Sequence, residues 1–369
     1  MNHDPIRSPV PMNDLSRAIA RDRDVLTRAV SAVLDSAHVV LGPQHGAFQL
    51  ALADYLGVAS AVGVGSGTDA LELALKVAMP EGKTTVLTAA NAGGYTSTAA
   101  RRSGYGLRYA DVDPNSLCLS ATTVAEALTD DVGVVVVTHL YGNLTDMNGL
   151  VQLCRTEGIR LVEDCAQAIG ARRPEGSAGS FGDLATISFY PTKNLGALGD
   201  GGAVVTNSPE LAAQVTQLRQ YGWESKYRVA VEGGINSRLD ELQAAFLLAR
   251  LPMLDALNER RRNIVTQYAA AALGGPLQVL PASGPHHVAH LAAALTADRD
   301  ATREHLASHG VATDIHFPVP DHHQPGFRAE PHELPVTERT SRQVFSLPCF
   351  PEMTDEEVNS VCRAIRSLS

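Results

Sequence analysis

Lysine is scarce in this chain: 369 residues carry only four, Lys76, Lys83, Lys193 and Lys226, and arginine supplies the rest of the positive charge. There is no Lys/Arg-rich run and the formal net charge is −10, so the clustered cations that a nucleic-acid surface needs are missing. The five cysteines, Cys118, Cys154, Cys165, Cys349 and Cys362, include no CxxC pair. That spacing offers neither a disulfide framework nor a zinc site and reads as reduced thiols. No apolar run approaches the length of a membrane span; the strongest, Val132 to Val137, is far too short. The segment Met1 to Asp14 is polar and contains proline, without the apolar stretch of a signal peptide. These absences predict a soluble, cytoplasmic protein with no membrane partner, no nucleic-acid partner and no metal.

What is present fits a two-domain globular protein. At 369 residues the chain exceeds a single core, and 44% apolar content is ordinary for a globular protein. From Ala61 to Thr206 short β-branched runs alternate with helical patterns. The candidate strands are Ala61–Val64, Thr85–Leu87, Val134–Val137, Arg160–Val162 and Ala203–Thr206; the candidate helices are Asp69–Val77, Ala121–Leu128 and Leu150–Thr156. Apolar strands separated by helices indicate an α/β fold with a mostly parallel sheet covered on both faces. Ligands in such folds bind beyond the carboxyl ends of the strands. Asp240 to Ala272 reads as one long helix, or two joined near Pro252. Leu273 to Pro285 is the preferred linker, followed by a strand over Val288–Thr296 and helices over Asp300–Ser308 and Asp355–Ser367. The expected division is a large domain, 1–250, and a smaller α+β domain, 251–369.

Lys193 stands out because it sits among small and apolar residues between Ser188 and Gly202, where a solvating cation has no evident use. An amine in a partly desolvated pocket can lose its proton near neutral pH and attack a carbonyl, which a guanidinium cannot do. Three further elements suit one ligand, a phosphorylated aromatic aldehyde. Gly63 to Ala70 forms a glycine-rich turn before an apolar helix, where backbone amides and the Thr68 hydroxyl can hold a phosphate; Thr68 or Ser66 also suits a plain N-cap. Within the run Arg160–Gly170, at the end of its apolar strand, Asp164 suits a protonated pyridine nitrogen and Gln167 a ring hydroxyl, while Asp164 also reads as a cap. The polar cluster from Gly234 to Glu241 opens the long helix, as an anion contact or as a capping box.

Taken in order, the motifs Gly65–Leu71 (G-S-G-T-D-A-L), Thr138–Gly142 (T-H-L-Y-G), Glu163–Gly170 (E-D-C-A-Q-A-I-G), Ser188–Gly202, Asn236–Ala245 and Ile315–Pro320 resemble the DegT/DnrJ/StrS-type sugar aminotransferases. These are pyridoxal-phosphate (PLP) enzymes of fold type I, with a seven-stranded, mostly parallel sheet and a smaller C-terminal domain. The resemblance covers nearly the whole chain. It implies that Lys193 forms the Schiff base with the cofactor and shuttles protons, that Asp164 pairs with the pyridine nitrogen, and that Gln167 approaches the ring oxygen. Gly67, Thr68, Asp69 and Ser188 belong to the phosphate side. Asn236 reaches the phosphate of a neighbouring subunit, implying a homodimer with shared active sites, and His316 and His322 lie near the substrate.

Three positions depart from the family pattern. Gly93 stands where an aromatic residue usually stacks on the cofactor, leaving Tyr95 as the expected stacker. Ile169 replaces a histidine, and Asp321 a residue that is more often apolar. The implied reaction is a two-stage transamination through pyridoxamine phosphate, from L-glutamate or L-glutamine to the carbonyl of a nucleotide-linked keto-deoxysugar. A keto-inositol acceptor shares every cofactor motif and is the alternative; a noncatalytic PLP-binding regulator is a further one. Sugar dehydratases of this fold replace the lysine with histidine, so Lys193 argues against that chemistry.

Overall fold

Short strands that are apolar on both faces need cover on both faces, and the fold supplies it. The computed structural model describes residues 9–327 and 332–368. Seven strands form one sheet in the spatial order Ser60–Val64, Gly202–Thr206, Leu184–Ser188, Arg160–Asp164, Val132–Thr138, Thr85–Ala89, Gly106–Ala110. Only Gly202–Thr206 runs against its neighbours; every other pairing is parallel. The α/β class with a mostly parallel seven-stranded sheet is therefore the one the sequence led us to expect.

Val132–Thr138 shows how patterning builds the layers. Its alternate side chains enter different cores. Val135 and Val137 join Phe48, Leu52, Leu150 and Leu247 beneath the helices Pro43–Leu56, Met147–Glu157 and Glu241–Arg250. Val134 and Val136 join Val64, Leu73 and Leu75 beneath Gly67–Ala78 and Pro209–Leu218.

Toward the C-terminus, Gln278–Val279, Ala292–Leu295 and Val344–Leu347 form a three-stranded antiparallel sheet. Its core holds Ile264, Tyr268, Phe345 and Val361, under the helices Leu254–Ala271 and Asp355–Arg366. The stretch read as a linker behaves differently: Gln278–Val279 is a strand of this sheet, and Leu277, Val279 and Ala282 are buried. Pro252 separates Glu241–Arg250 from Leu254–Ala271 through a 3-10 turn, resolving the one-or-two-helix alternative as two. The N-terminal helix Leu15–Ser36 straps both cores: Asp22 pairs with Arg250 at 3.0 Å, and Arg17 with Glu357 at 2.8 Å. Among the described residues no helix is long and apolar enough to cross a membrane. The strands Ser60–Val64, Arg160–Asp164 and Leu184–Ser188 all point the same way, so Ser66, Asp164 and Ser188 converge on one edge of the sheet.

Candidate active site

At that edge lies a cavity of about 600 Å³ lined by Lys193, Asp164, Gly67, Thr68, Ser188 and Gln167. Lys193 is carried by a loop that closes on itself. Phe189 donates its N–H to Gly201 O at 2.8 Å, Ala197 to Phe189 O at 2.8 Å, and Lys193 to Tyr190 O at 2.8 Å. A Cβ at Gly196 would meet Pro191 O at 2.4 Å, so glycine is needed for the loop to fold over. Asn194 pins the next residue, donating to Asn258 Oδ1 at 2.7 Å and to Val288 O at 3.0 Å. Burial pushes the Lys193 ammonium from its usual 10.5 down to about 8, against the opposing attraction of Asp164. A lysine held there has roughly a tenth of its amine neutral at pH 7, far more than an exposed lysine, which is what a nucleophile and proton carrier requires.

Two adjacent acids end the strand Arg160–Asp164, and the structure gives them different work. Glu163 is fully buried and its carboxylate is saturated: it accepts from Gly179 N at 3.0 Å and from Phe181 N and Gly182 N at 2.8 Å, and meets His139 Nε2 at 2.9 Å. It organises a turn and has no capacity left for a ligand. Asp164 faces the cavity instead, accepting only from Ala166 N at 3.1 Å and Thr138 Oγ1 at 3.2 Å. Burial raises its carboxyl above the ordinary carboxylate value, while the Ala166 N–H, Lys193 and the Thr138 hydroxyl oppose the shift. A cationic ligand group beside it would relieve that burial cost.

The third corner is an anion cradle. Ser66 caps the helix Gly67–Ala78, its Oγ accepting from Asp69 N at 3.1 Å, so the cap is Ser66 and not Thr68. A Cβ at Gly67 would lie 2.6 Å from Ser188 Cβ, and one at Gly202 would lie 2.4 Å from Ser66 O. These glycines let the helix start approach the end of the strand Leu184–Ser188, bringing free helix amides and the two hydroxyls together at the positive end of the helix dipole. Asp69 does not join the cavity lining. Its carboxylate accepts from Ser237 Oγ at 2.8 Å and lies 3.5 Å from Arg102, an arrangement that orients the segment bearing Asn236.

Other residues singled out from the sequence divide. Gln167 lines the cavity; its Oε1 accepts from Tyr141 N at 2.6 Å, leaving its amide N–H groups to donate to a ligand oxygen. His316 lines it too, with Nδ1 2.9 Å from Ser346 Oγ, and burial lowers its pKa. Tyr95 is at the cavity but 51% exposed, edge-on to Phe317 at 6.2 Å. His322 is outside the lining and turns toward Glu338, 3.3 Å away. Asn236 is exposed, on a segment bridged to Gln220, and is likewise outside this chain's own cavity lining.

Some lining residues escaped the sequence reading. His290, buried and held by Asn194 Oδ1 at 2.9 Å, is kept neutral by desolvation and by the nearby Lys193. Buried Arg261 donates to Cys349 O at 2.7 Å. Phe317 occupies the place a side chain at Gly93 would take: a Cβ there would be 2.3 Å from its ring, on a backbone at φ +82°. Their signals were long-range packing, invisible in local spacing, although the paired glycines Gly93 and Gly94 marked the departure.

A buried, pKa-lowered lysine, a buried carboxylate and a glycine-lined anion cradle in one cavity, at the carboxyl edge of a mostly parallel sheet, define a pyridoxal-phosphate enzyme of fold type I; the residues fit that cofactor at each of its three polar ends. The chain belongs to the DegT/DnrJ/EryC1/StrS aminotransferase family, whose profile matches residues 21–366. It is 38% identical over 361 residues to the UDP-N-acetyl-3-dehydro-α-D-glucosamine 3-aminotransferase of Acidithiobacillus ferrooxidans, covering 97% of each chain. It is 39% identical over 365 residues to the dTDP-3-amino-3,4,6-trideoxy-α-D-glucose transaminase of Streptomyces venezuelae, covering 97% of this chain and 95% of the other. Among solved structures, Bacillus subtilis NtdA with its cofactor PMP bound superposes with a TM-score of 0.92 at 28% identity, covering 99% of this chain and 86% of that one. The protein is a PLP-dependent aminotransferase.

Proposed function

We propose that this aminotransferase moves the amino group of L-glutamate or L-glutamine to the ring carbonyl of a nucleotide-linked keto-deoxysugar. The cofactor, when bound, supplies the electron sink that makes the donor's α-proton removable and stores the amine between half-reactions. Lys193, which lines the cavity, would hold it covalently, its amine being freed when the donor's amine takes its place. The freed Nζ would carry the proton from the donor α-carbon to the cofactor, water releasing the 2-oxo acid, and in the second half-reaction would carry a proton from the cofactor to the sugar carbon that receives nitrogen. Asp164 would keep the pyridine nitrogen protonated, and Gln167 would donate to the ring oxygen. Gly67, Thr68 and Ser188 would hold the phosphate, while Tyr95, His316 and Phe317 border the substrate side of the cavity.

The observation that carries the chemistry is the Lys193 amine held at about 8 in a cavity shared with Asp164. Support for the sugar class comes from the relatives, whose names specify UDP- and dTDP-linked sugars. Neither of those names a keto-inositol, so the cyclitol alternative has no counterpart there. We further propose a cytoplasmic homodimer: exposed Asn236, on the segment that Ser237 fixes to the anion cradle, reaches the phosphate of the second subunit. The deciding experiment loads the enzyme with pyridoxamine phosphate and mixes it, in single turnover, with a panel of nucleotide-linked keto sugars and keto-inositols. Recovery of the lysine-bound absorbance with a nucleotide sugar supports the assignment. Recovery with a keto-inositol alone refutes it.

A further inference from the structure

His322 was expected at the substrate cavity and instead belongs to a cluster on the far side of the same loop. It sits in the 3-10 turn Asp321–His323, and Glu338 sits in the facing helix Pro335–Gln343. His322 Nε2 lies 3.3 Å and His323 Nε2 lies 3.8 Å from the same Glu338 Oε1, and the two imidazole rings are 4.0 Å apart. One ligand atom from each of the three residues lies within 4.8 Å of the others. We propose that His322, His323 and Glu338 form a zinc-binding site that fastens the cavity-lining loop to the helix Pro335–Gln343.

The geometry suits that ion. Two ligands about 2.0–2.1 Å from a tetrahedral zinc lie roughly 3.3–3.4 Å apart. The His322–Glu338 pair already has that spacing at 3.3 Å, and His323, with its side chain 52% exposed, can close from 3.8 Å by a small side-chain rotation. Two imidazoles and one carboxylate leave a fourth position for water on the exposed His323 side, and this nitrogen-rich set favours zinc and its late first-row neighbours over magnesium or calcium. A second cluster of this kind among the described residues, His139, Glu163 and Cys165, carries no such proposal because the Glu163 carboxylate is saturated by three backbone amides and His139.

The location gives the site a consequence. Asp321 on the same turn accepts from Ser97 Oγ at 2.5 Å and donates its N–H to Ala90 O at 2.8 Å. The loop running into this turn carries His316 and Phe317, which line the Lys193 cavity. A metal across the turn and the helix would hold that wall from behind, without touching the reacting groups.

The test is calorimetric titration of zinc chloride into the chelator-stripped, full-length enzyme, with three variants beside the wild type. His323→Ala removes an exposed ligand with little risk to folding, and Glu338→Gln removes the anionic one. A double variant, His305→Ala with His309→Ala, controls for the other close histidine pair, whose rings are 4.4 Å apart. The expected result is one zinc site weakened at least ~10-fold by His323→Ala and by Glu338→Gln, and unchanged by the double variant. Equal affinity in wild type, His323→Ala and Glu338→Gln, loss of binding in the double variant, or no zinc binding by the wild type would each overturn the proposal.

Discussion

Replacing Lys193 by methionine is expected to stabilise the cofactor-free protein while abolishing its activity. In the folded chain burial lowers the amine from 10.5 to about 8. The unfolded amine therefore binds its proton more tightly than the folded one. Between pH 8 and 10.5 the unfolded state holds more protons, so the wild type gains stability as pH rises through that window. Below pH 8 the penalty for keeping a charged amine in the cavity is fully present. The interval of about 2.5 pH units corresponds to at most ~3.5 kcal/mol at ~1.4 kcal/mol each. Methionine fills a similar volume without the charge, but it also deprives Asp164 of a favourable neighbour, which trims the gain to about 1–2 kcal/mol. Urea denaturation of both apoproteins at pH 7 and pH 10 measures the difference directly. Greater stability of Lys193→Met at pH 7, narrowing at pH 10, is the expected outcome. A variant less stable than wild type at pH 7, or a difference independent of pH, would refute the inference that this amine is strained toward its neutral form.

Asp164→Asn should leave the fold intact and lower kcat by roughly 10- to 100-fold, the kinetic equivalent of losing one charge-assisted hydrogen bond worth ~1.5–3 kcal/mol. Because Asp164 opposes the burial effect on Lys193, the acidic limb of the pH–rate profile should move to lower pH in that variant. Gly67→Ala places a Cβ 2.6 Å from Ser188 Cβ, and cofactor affinity measured by dialysis should fall at least ~5-fold, the lower end of overpacking costs. Gly93→Ala combines a left-handed backbone at φ +82° with a contact 2.3 Å from the Phe317 ring. The backbone alone costs ~1–2 kcal/mol, so its melting temperature should fall by several degrees, and adding Phe317→Ala should restore part of the loss but not the backbone share.

The sequence carried the parts of this molecule whose chemistry is local. Apolar runs such as Val134–Val137 are strands because their β-branched side chains fill two cores at once. The glycines at 67, 196 and 202 were visible as a motif because close backbone approach leaves no other residue an option. Gly106–Ala110 and Leu184–Ser188 were missed as strands: the first is an edge strand with Arg108 in its middle, and the second is short, has Thr186 in its middle and ends where the Ser188–Gly202 motif, read for its chemistry, begins. The residues single out Asp164 over Glu163 and the resemblance implies the same role, but the physical reason needed coordinates, since the amides that saturate Glu163 come from residues 179–182. His290, Arg261 and Phe317 reach the cavity from distant segments that fold back on Lys193, and no spacing rule records that. The apparent linker at Leu273–Pro285 misled because glycine and proline content marks turns, while the buried side chains between them pack a third strand.

The central claim is that Lys193 is the covalent anchor. Borohydride reduction of the PLP-loaded enzyme followed by peptide mapping tests it most directly. The account predicts one stable cofactor adduct, on the peptide containing Lys193, with Lys76, Lys83 and Lys226 unmodified. An adduct on another residue, or none at all in enzyme that retains its bound cofactor, would contradict it.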